Sequence, residues 1–91
     1  FDPRLLQTFV AVADTGSFTD AANRLNSTQS TVSQQVSRLE DILRHILLDR
    51  SARPVRLTPA GETFVGYARR ILALQNEAEE LLTNPSGSRP V

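Results

Sequence analysis

Between Leu25 and Gln29 the chain has about three residues in which to turn, and apolar residues recur at helical spacing on both sides of that turn. Upstream stand Phe18, Ala21, Ala22 and Leu25. Downstream, Val32, Val36, Leu39 and Leu43 form one narrow stripe at offsets of four, three and four. Two amphipathic helices joined this tightly cannot continue one another, so they cross and bury their stripes in a shared core. Asn26 suits the left-handed conformation such a turn needs, and Ser27 or Thr28 can cap the second of the two helices, which is expected to run to about Leu43.

The rest of the chain supplies partners for that pair. Asp2 before Pro3 reads as an N-cap and first helical residue, and Leu5, Leu6, Phe9, Val10, Val12 and Ala13 carry a helix from about Pro3 to Thr15. Gly16 suits its C-terminal cap, and Ser17 with Asp20 opens the short second helix. Beyond a break at Arg44 to Ile46, the runs Leu47 to Arg50 and Val55 to Thr58 read as two short strands of a hairpin, a wing with Arg50 and Arg53 near its tip. Thr58 and Pro59 open a long last helix. Its stripe of Phe64, Ala68, Ile71, Gln75, Ala78 and Leu82 continues for nearly three heptads, farther than so small a core can cover. The expected fold is therefore all-α with a small β-hairpin: a winged helix-turn-helix over residues 1–58 and a long helix over 59–83. Residues 84–91, with two prolines, a glycine and two serines, have the composition of a flexible linker.

Ten arginines balance ten acids in the 91 residues, so the net charge is zero and the overall basic balance of a typical nucleic-acid binder is missing. The distribution is uneven, however. Ala21 to Leu39 holds Arg24 and Arg38 and no acid, and Ser51 to Gln75 sets Arg53, Arg56, Arg69 and Arg70 against Glu62 alone. A helix whose outer face is Ser30, Ser33, Gln34, Ser37 and Arg38 is poorly explained by solubility, because solvated faces usually carry acid–base pairs. Short hydroxyls permit close approach to DNA, while amides and guanidinium groups can pair with base edges or phosphates. The competing reading is a generic helical hairpin, or a helical dimer that uses its long helix to bind protein and has no DNA function.

Enzyme chemistry finds little support. His45 is the single histidine, Glu40 and Asp41 are adjacent and so point about 100° apart on a helix, and the glycines have no phosphate-loop spacing. The absence of cysteine excludes disulfides and thiolate zinc sites. Neither a cofactor nor a metal is expected, and no apolar run suggests a membrane segment or signal peptide, which makes the cytoplasm the expected compartment.

From Leu5 to about Ala78 the chain resembles the LysR-type transcriptional regulators. The resemblance is carried by LQTFVAVADTGSFTDAANRLNSTQSTVSQQVSRLEDIL and by RLTPAGETF, within which Phe9, Gly16-Ser17-Phe18, Ala21-Ala22, Gln29 to Val36, Leu39-Glu40, Leu57-Thr58 and Ala60-Gly61 are the diagnostic pieces. Gly66-Tyr67-Ala68-Arg69 and Asn76-Glu77-Ala78 are also similar to a motility and exoenzyme-control subset of that family. The resemblance implies sequence-specific binding of double-stranded promoter DNA. Gln29, Ser30, Ser33 and Gln34 would face bases in the major groove, and Thr28, Thr31, Ser37 and Arg38 would hold phosphates. Arg50 and Arg53 would approach the backbone or minor groove. For Ser30 and Ser37 the alternative is that they merely leave room, and for Arg50 a salt bridge with Asp49 or another acid.

The same resemblance implies a homodimer, or a tetramer of the full-length protein, paired through Phe64, Ala68, Ile71, Gln75, Ala78 and Leu82 on a dyad-symmetric site. It also implies that a small-molecule effector acts only through a C-terminal domain beyond residues 84–91. The alternative for the stripe is packing wholly on its own domain. The chain departs from the family pattern at three positions. Arg44 stands where glycine is usual, so the third helix is expected to extend or end differently. Leu48 replaces the usual phenylalanine before the wing, and Ser27 replaces an apolar residue in the turn, so a smaller core and a less pinned start to the third helix are expected.

Overall fold

The structure, a computed structural model, describes residues 2–83. Each helix begins where a side chain satisfies amides that the helix itself leaves free. Asp2 Oδ1 accepts the Arg4 N–H at 2.9 Å and α1 runs Pro3–Thr15. Gly16, at φ 70°, ends it by donating to the Val12 carbonyl at 2.8 Å. Ser17 Oγ accepts the Asp20 N–H at 3.0 Å to open α2, Phe18–Arg24. Asn26 then takes φ 54°, and Thr28 caps α3, Gln29–Leu43, by accepting the Thr31 N–H at 3.1 Å.

The hairpin is shorter than its sequence suggests. Strand β1 covers Leu48–Asp49 and β2 covers Arg56–Leu57, antiparallel, with Leu48 opposite Leu57 and Asp49 opposite Arg56. The flanking amides bond elsewhere: Val55 N–H donates to the Gly16 carbonyl at 2.9 Å, and Leu47 N–H donates to the Glu40 carboxylate at 2.8 Å. The wing is thus fastened to α1 and α3 by its flanks, which takes those residues out of the ladder.

Phe9, Val12, Ala21, Val32, Val36 and Leu39 are fully buried where the three short helices meet, and Leu47 and Leu48 close the core from the wing side. Leu48 fills its place with 2% of its surface exposed. Ser27 is pinned through its backbone, its N–H donating to the Ala22 carbonyl at 2.8 Å.

The end of α3 falls where its apolar spacing predicts, without the extension or altered end expected from Arg44 in the glycine position. Helix α3 stops at Leu43, and Arg44 itself takes the left-handed conformation, φ 58° and ψ 36°. The strain of that conformation, on the order of 1 kcal/mol, is accepted because the turn is tied on both sides. Arg44 N–H donates to the Asp41 carbonyl and His45 N–H to the Glu40 carbonyl, at 3.3 and 3.2 Å.

Helix α4, Pro59–Thr83, corrects the reading of its stripe. Ala68 is wholly buried in the domain's own core, and the Phe64 ring packs 5.8 Å from that of Phe9. Their register places them against α1, with Gly61, Val65 and Leu72 on the same side. Gln75 is half-buried, while Ile71, Ala78 and Leu82 are exposed. The apolar row left facing outward is Tyr67, Ile71, Leu74, Ala78 and Leu81, again spaced by four and three. The linker assigned to residues 84–91 lies outside the described residues.

A surface ion cluster ties α4 and α2 to the end of α1. Arg69 Nη2 of α4 lies 2.6 Å from Asp14 Oδ1 of α1, and Arg24 of α2 lies 3.7 Å from the same carboxylate. The Arg69 hydrogen bond holds the Asp14 carboxyl below its ordinary value of 3.8. A depressed carboxyl stabilises the fold above its unfolded value and loses that contribution as pH falls through the folded one. Asp14→Asn should therefore lower the melting temperature slightly at neutral pH, by the equivalent of about 1 kcal/mol or less. The difference from wild type should shrink on acidification below 3.8, as read by thermal circular dichroism. A gap that grows in acid would refute this assignment.

Candidate nucleic-acid interface

Capping fixes where α3 begins, and its buried stripe fixes which side faces outward. Thr28, Gln29, Ser30, Thr31, Gln34 and Arg38 are exposed, and Ser33 and Ser37 are half-buried. The hydroxyls of Thr28 and Thr31 are tied together at the helix start, 3.0 Å apart. Gln29 Oε1 accepts from the Thr19 hydroxyl of α2 at 3.5 Å, and its amide donors have no partner among the described residues. Gln34 and Ser30 make no side-chain hydrogen bond with the described residues, so their polar groups are met by solvent or by a partner. Gln35, one residue on, differs: it is half-buried and accepts the Thr8 hydroxyl at 2.6 Å, which fastens α3 to α1.

The two arginines read as a pair at the wing tip part company. Arg53 stays exposed at the tip, where Nη1 donates to the carbonyls of Arg50 and Ala52 and shapes the loop. Asp49 also shapes it, accepting from the Ser51 hydroxyl and amide at 2.6 and 3.0 Å, and these bonds lower its carboxyl below the ordinary value. Arg50 instead folds back onto α3. Its Nη1 donates to Ser33 Oγ at 2.7 Å, and its Nη2 donates to Ser37 Oγ at 3.0 Å and to the Ser33 carbonyl at 3.3 Å. The guanidinium carbon sits 4.7 Å above the Phe18 ring, and the nearest acid is Glu40 at 3.9 Å, not Asp49. Arg50 thereby joins α2, α3 and the wing at one point.

Glu40 is the residue that sequence reasoning missed. Its side chain is buried beneath the wing, and Oε2 accepts the N–H groups of both Leu47 and Leu48, at 2.8 and 3.2 Å. The available signal was its place four residues after Val36 and three before Leu43, on the inward side of the helix.

The assembled surface is the outer side of α3 over residues 28–38, which holds no acid, with Arg38 at one end and Arg53 beside it on the wing. Among the described residues no cluster of His, Asp and Glu is arranged to hold a metal, and no helix is long and apolar enough to cross a membrane.

Comparison with known proteins finds the same fold. A family model described as "Bacterial regulatory helix-turn-helix protein, lysR family" matches residues 3–62. An uncharacterized HTH-type transcriptional regulator of Azotobacter vinelandii, in the ibpB-leuC intergenic region, is 44% identical over 82 residues, 90% of this chain and 57% of its own. The HTH-type transcriptional regulator PecT of Dickeya dadantii is 49% identical over 77 residues, 85% of this chain and 24% of its own. The chain thus spans between a quarter and somewhat over half of these relatives' lengths. The crystal structure of the BenM_DBD/benA site 1 DNA complex superposes with a TM-score of 0.89 at 38% identity, covering 96% of this chain and 99% of that one.

Proposed function

The chain belongs to the bacterial LysR family of helix-turn-helix regulators, and we propose that residues 1–58 read double-stranded promoter DNA for a cytoplasmic transcription regulator. Its relatives are transcriptional regulators, and one structural neighbour is a DNA complex; an enzymatic role has no support among them. The observation that carries the proposal is the exposed outer face of α3 over residues 28–38, which holds no acid before Asp41 and whose Ser30 and Gln34 make no side-chain hydrogen bond with the described residues.

In this reading α3 lies in the major groove. Gln29, Ser30, Ser33 and Gln34 meet base edges, and a glutamine can pair bidentately with adenine for about 1–3 kcal/mol of discrimination. Thr28, Thr31, Ser37 and Arg38 hold phosphates, and Arg53 reaches the backbone or minor groove from the wing. Residues 59–83 pair with the same helix of a second subunit through Ile71, Ala78 and Leu82, joined by Tyr67, Leu74 and Leu81. A dimer sets two recognition helices roughly 34 Å apart, so the promoter site has two-fold symmetry. Effector control belongs to a C-terminal domain outside this chain.

Fluorescence anisotropy against duplex DNA across a salt series tests the reading. The affinity should fall with salt, with a slope of about −0.9 per phosphate contacted. Gln34→Ala should flatten sequence preference with little change in that slope, whereas Arg53→Ala should weaken all duplexes alike and reduce it by about one unit. A chain that dimerises yet binds every duplex undetectably, or without salt dependence, is a protein-interaction module instead.

A further inference from the structure

The contact between Arg50 and the outer face of α3 has a consequence for what that face can read. A guanidinium has five donors and no acceptor, whereas a serine hydroxyl can donate one hydrogen bond and accept two. Arg50 gives one N–H to Ser33 Oγ and another to Ser37 Oγ, at 2.7 and 3.0 Å. Its position is fixed by stacking on Phe18 and by its carbonyl contact with α3. A charge-assisted bond into a hydroxyl oxygen depletes the remaining lone pair and polarises the O–H outward. A helical hydroxyl can otherwise spend its proton on the carbonyl four residues earlier, as Thr15 does with Ala11 at 2.8 Å. No such bond from Ser33 to Gln29 forms among the described residues.

We infer that Arg50 is a positioning residue that sets the hydrogen-bond polarity of the reading face, making Ser33 a donor toward the major groove. The inference rests on the proposal that α3 reads DNA. A donor at Ser33 pairs with purine N7, guanine O6 or thymine O4 and is mismatched against cytosine, which presents only its N4 amino group on that edge. Ser37, held in the same way, offers its proton to a phosphate oxygen. The wing therefore contributes to base specificity without touching a base.

The test is selection of duplexes from a randomised pool by this chain, followed by affinity measurements on single-base variants of the selected site. Comparison with Ser33→Ala locates the base beneath Ser33. There the wild type should disfavour cytosine by roughly 3- to 10-fold, the range of one ordinary hydrogen bond, and Ser33→Ala should not. Arg50→Lys, still donor-only, should keep that preference even if it binds more weakly. Arg50→Gln can accept the serine proton and should erase it. A Ser33-dependent preference for cytosine overturns the inference, as does an Arg50→Gln protein that loses affinity equally for all sequences and keeps the preference.

Should Arg50→Gln fail to fold by circular dichroism, modified DNA decides with Arg50 intact. Removing the acceptor of the favoured base, with a 7-deazapurine for N7, 2-aminopurine for guanine O6 or 5-methyl-2-pyrimidinone for thymine O4, should in one of these replacements cost the wild type the same factor and Ser33→Ala nothing. Equal losses in both overturn it. A wild-type chain that enriches no sequence overturns the DNA reading itself, and the inference falls with it.

Discussion

Gly61→Ala should destabilise the domain by about 3 kcal/mol or more, toward or beyond the upper end of ordinary overpacking. A Cβ at Gly61 would stand 2.1 Å from the Leu47 carbonyl oxygen and 3.0 Å from its carbon, so the obstacle is backbone rather than a side chain that could swing away. The same carbonyl accepts the Thr58 N–H at 2.9 Å, and Gly61 N–H donates to Thr58 Oγ1 at 3.1 Å. Making room would therefore pull apart the point where the wing leaves α3 and α4 begins. Gly66, five residues along the same helix, meets nothing within 4 Å. Gly66→Ala should stabilise the chain by about 0.5–1 kcal/mol, because alanine has the higher helix propensity. Denaturation followed by circular dichroism separates the two: opposite shifts in midpoint are expected, and similar shifts would mean that the first turn of α4 does not press on Leu47.

That contrast marks what sequence could and could not disclose. Asp2, Gly16, Ser17, Asn26 and Thr28 were legible because each acts on amides or dihedral angles within a few residues of itself, and all sit at the boundaries they signal. The stripe of α3 was legible for the same reason: Val32, Val36 and Leu39 share one face whatever they pack against. The stripe of α4 was not, because two apolar rows overlap along it and only the fold shows that Phe64 and Ala68 meet α1 while Ile71, Ala78 and Leu82 do not. Arg44 misled for a different reason. A glycine position predicts strain for arginine, yet the hydrogen bonds around the turn hold the left-handed conformation regardless.

The reading face divides along the same line. Its exposure, and its lack of acids before Asp41, followed from helical spacing, but the hydrogen-bond partners of Arg50 and Glu40 lie 7 to 17 residues away and answer to no local pattern. Ser33 and Ser37 were read as groups free to face DNA. Both already have one bond filled by the wing, which changes what they can offer rather than whether they face outward.

Glu40→Ala should cost about 2–4 kcal/mol, since it leaves two backbone N–H groups at the start of the wing without their acceptor at about 1–3 kcal/mol for each buried donor. Leu47 and Leu48 are almost wholly buried, so water does not readily replace the carboxylate. Glu40→Gln retains one carbonyl oxygen for those amides and should lose less. It also surrenders the negative charge 3.9 Å from Arg50, and because Glu40 is nearly buried while only the guanidinium is part-exposed, a further small loss through that pair is expected. Hydrogen exchange at Leu47 and Leu48 gives the decisive reading: protection should fall sharply in Glu40→Ala and partly in Glu40→Gln. Unchanged protection in Glu40→Ala would mean that the hairpin is held by its own ladder. The DNA consequence follows from geometry. With its start released, the wing no longer holds Arg53 beside α3 or Arg50 upon it. Affinity should therefore drop for every sequence through Arg53, and the preference set through Ser33 should blur at the same time. A buried acid on the far side of the recognition helix thus governs both how tightly and how selectively that helix reads.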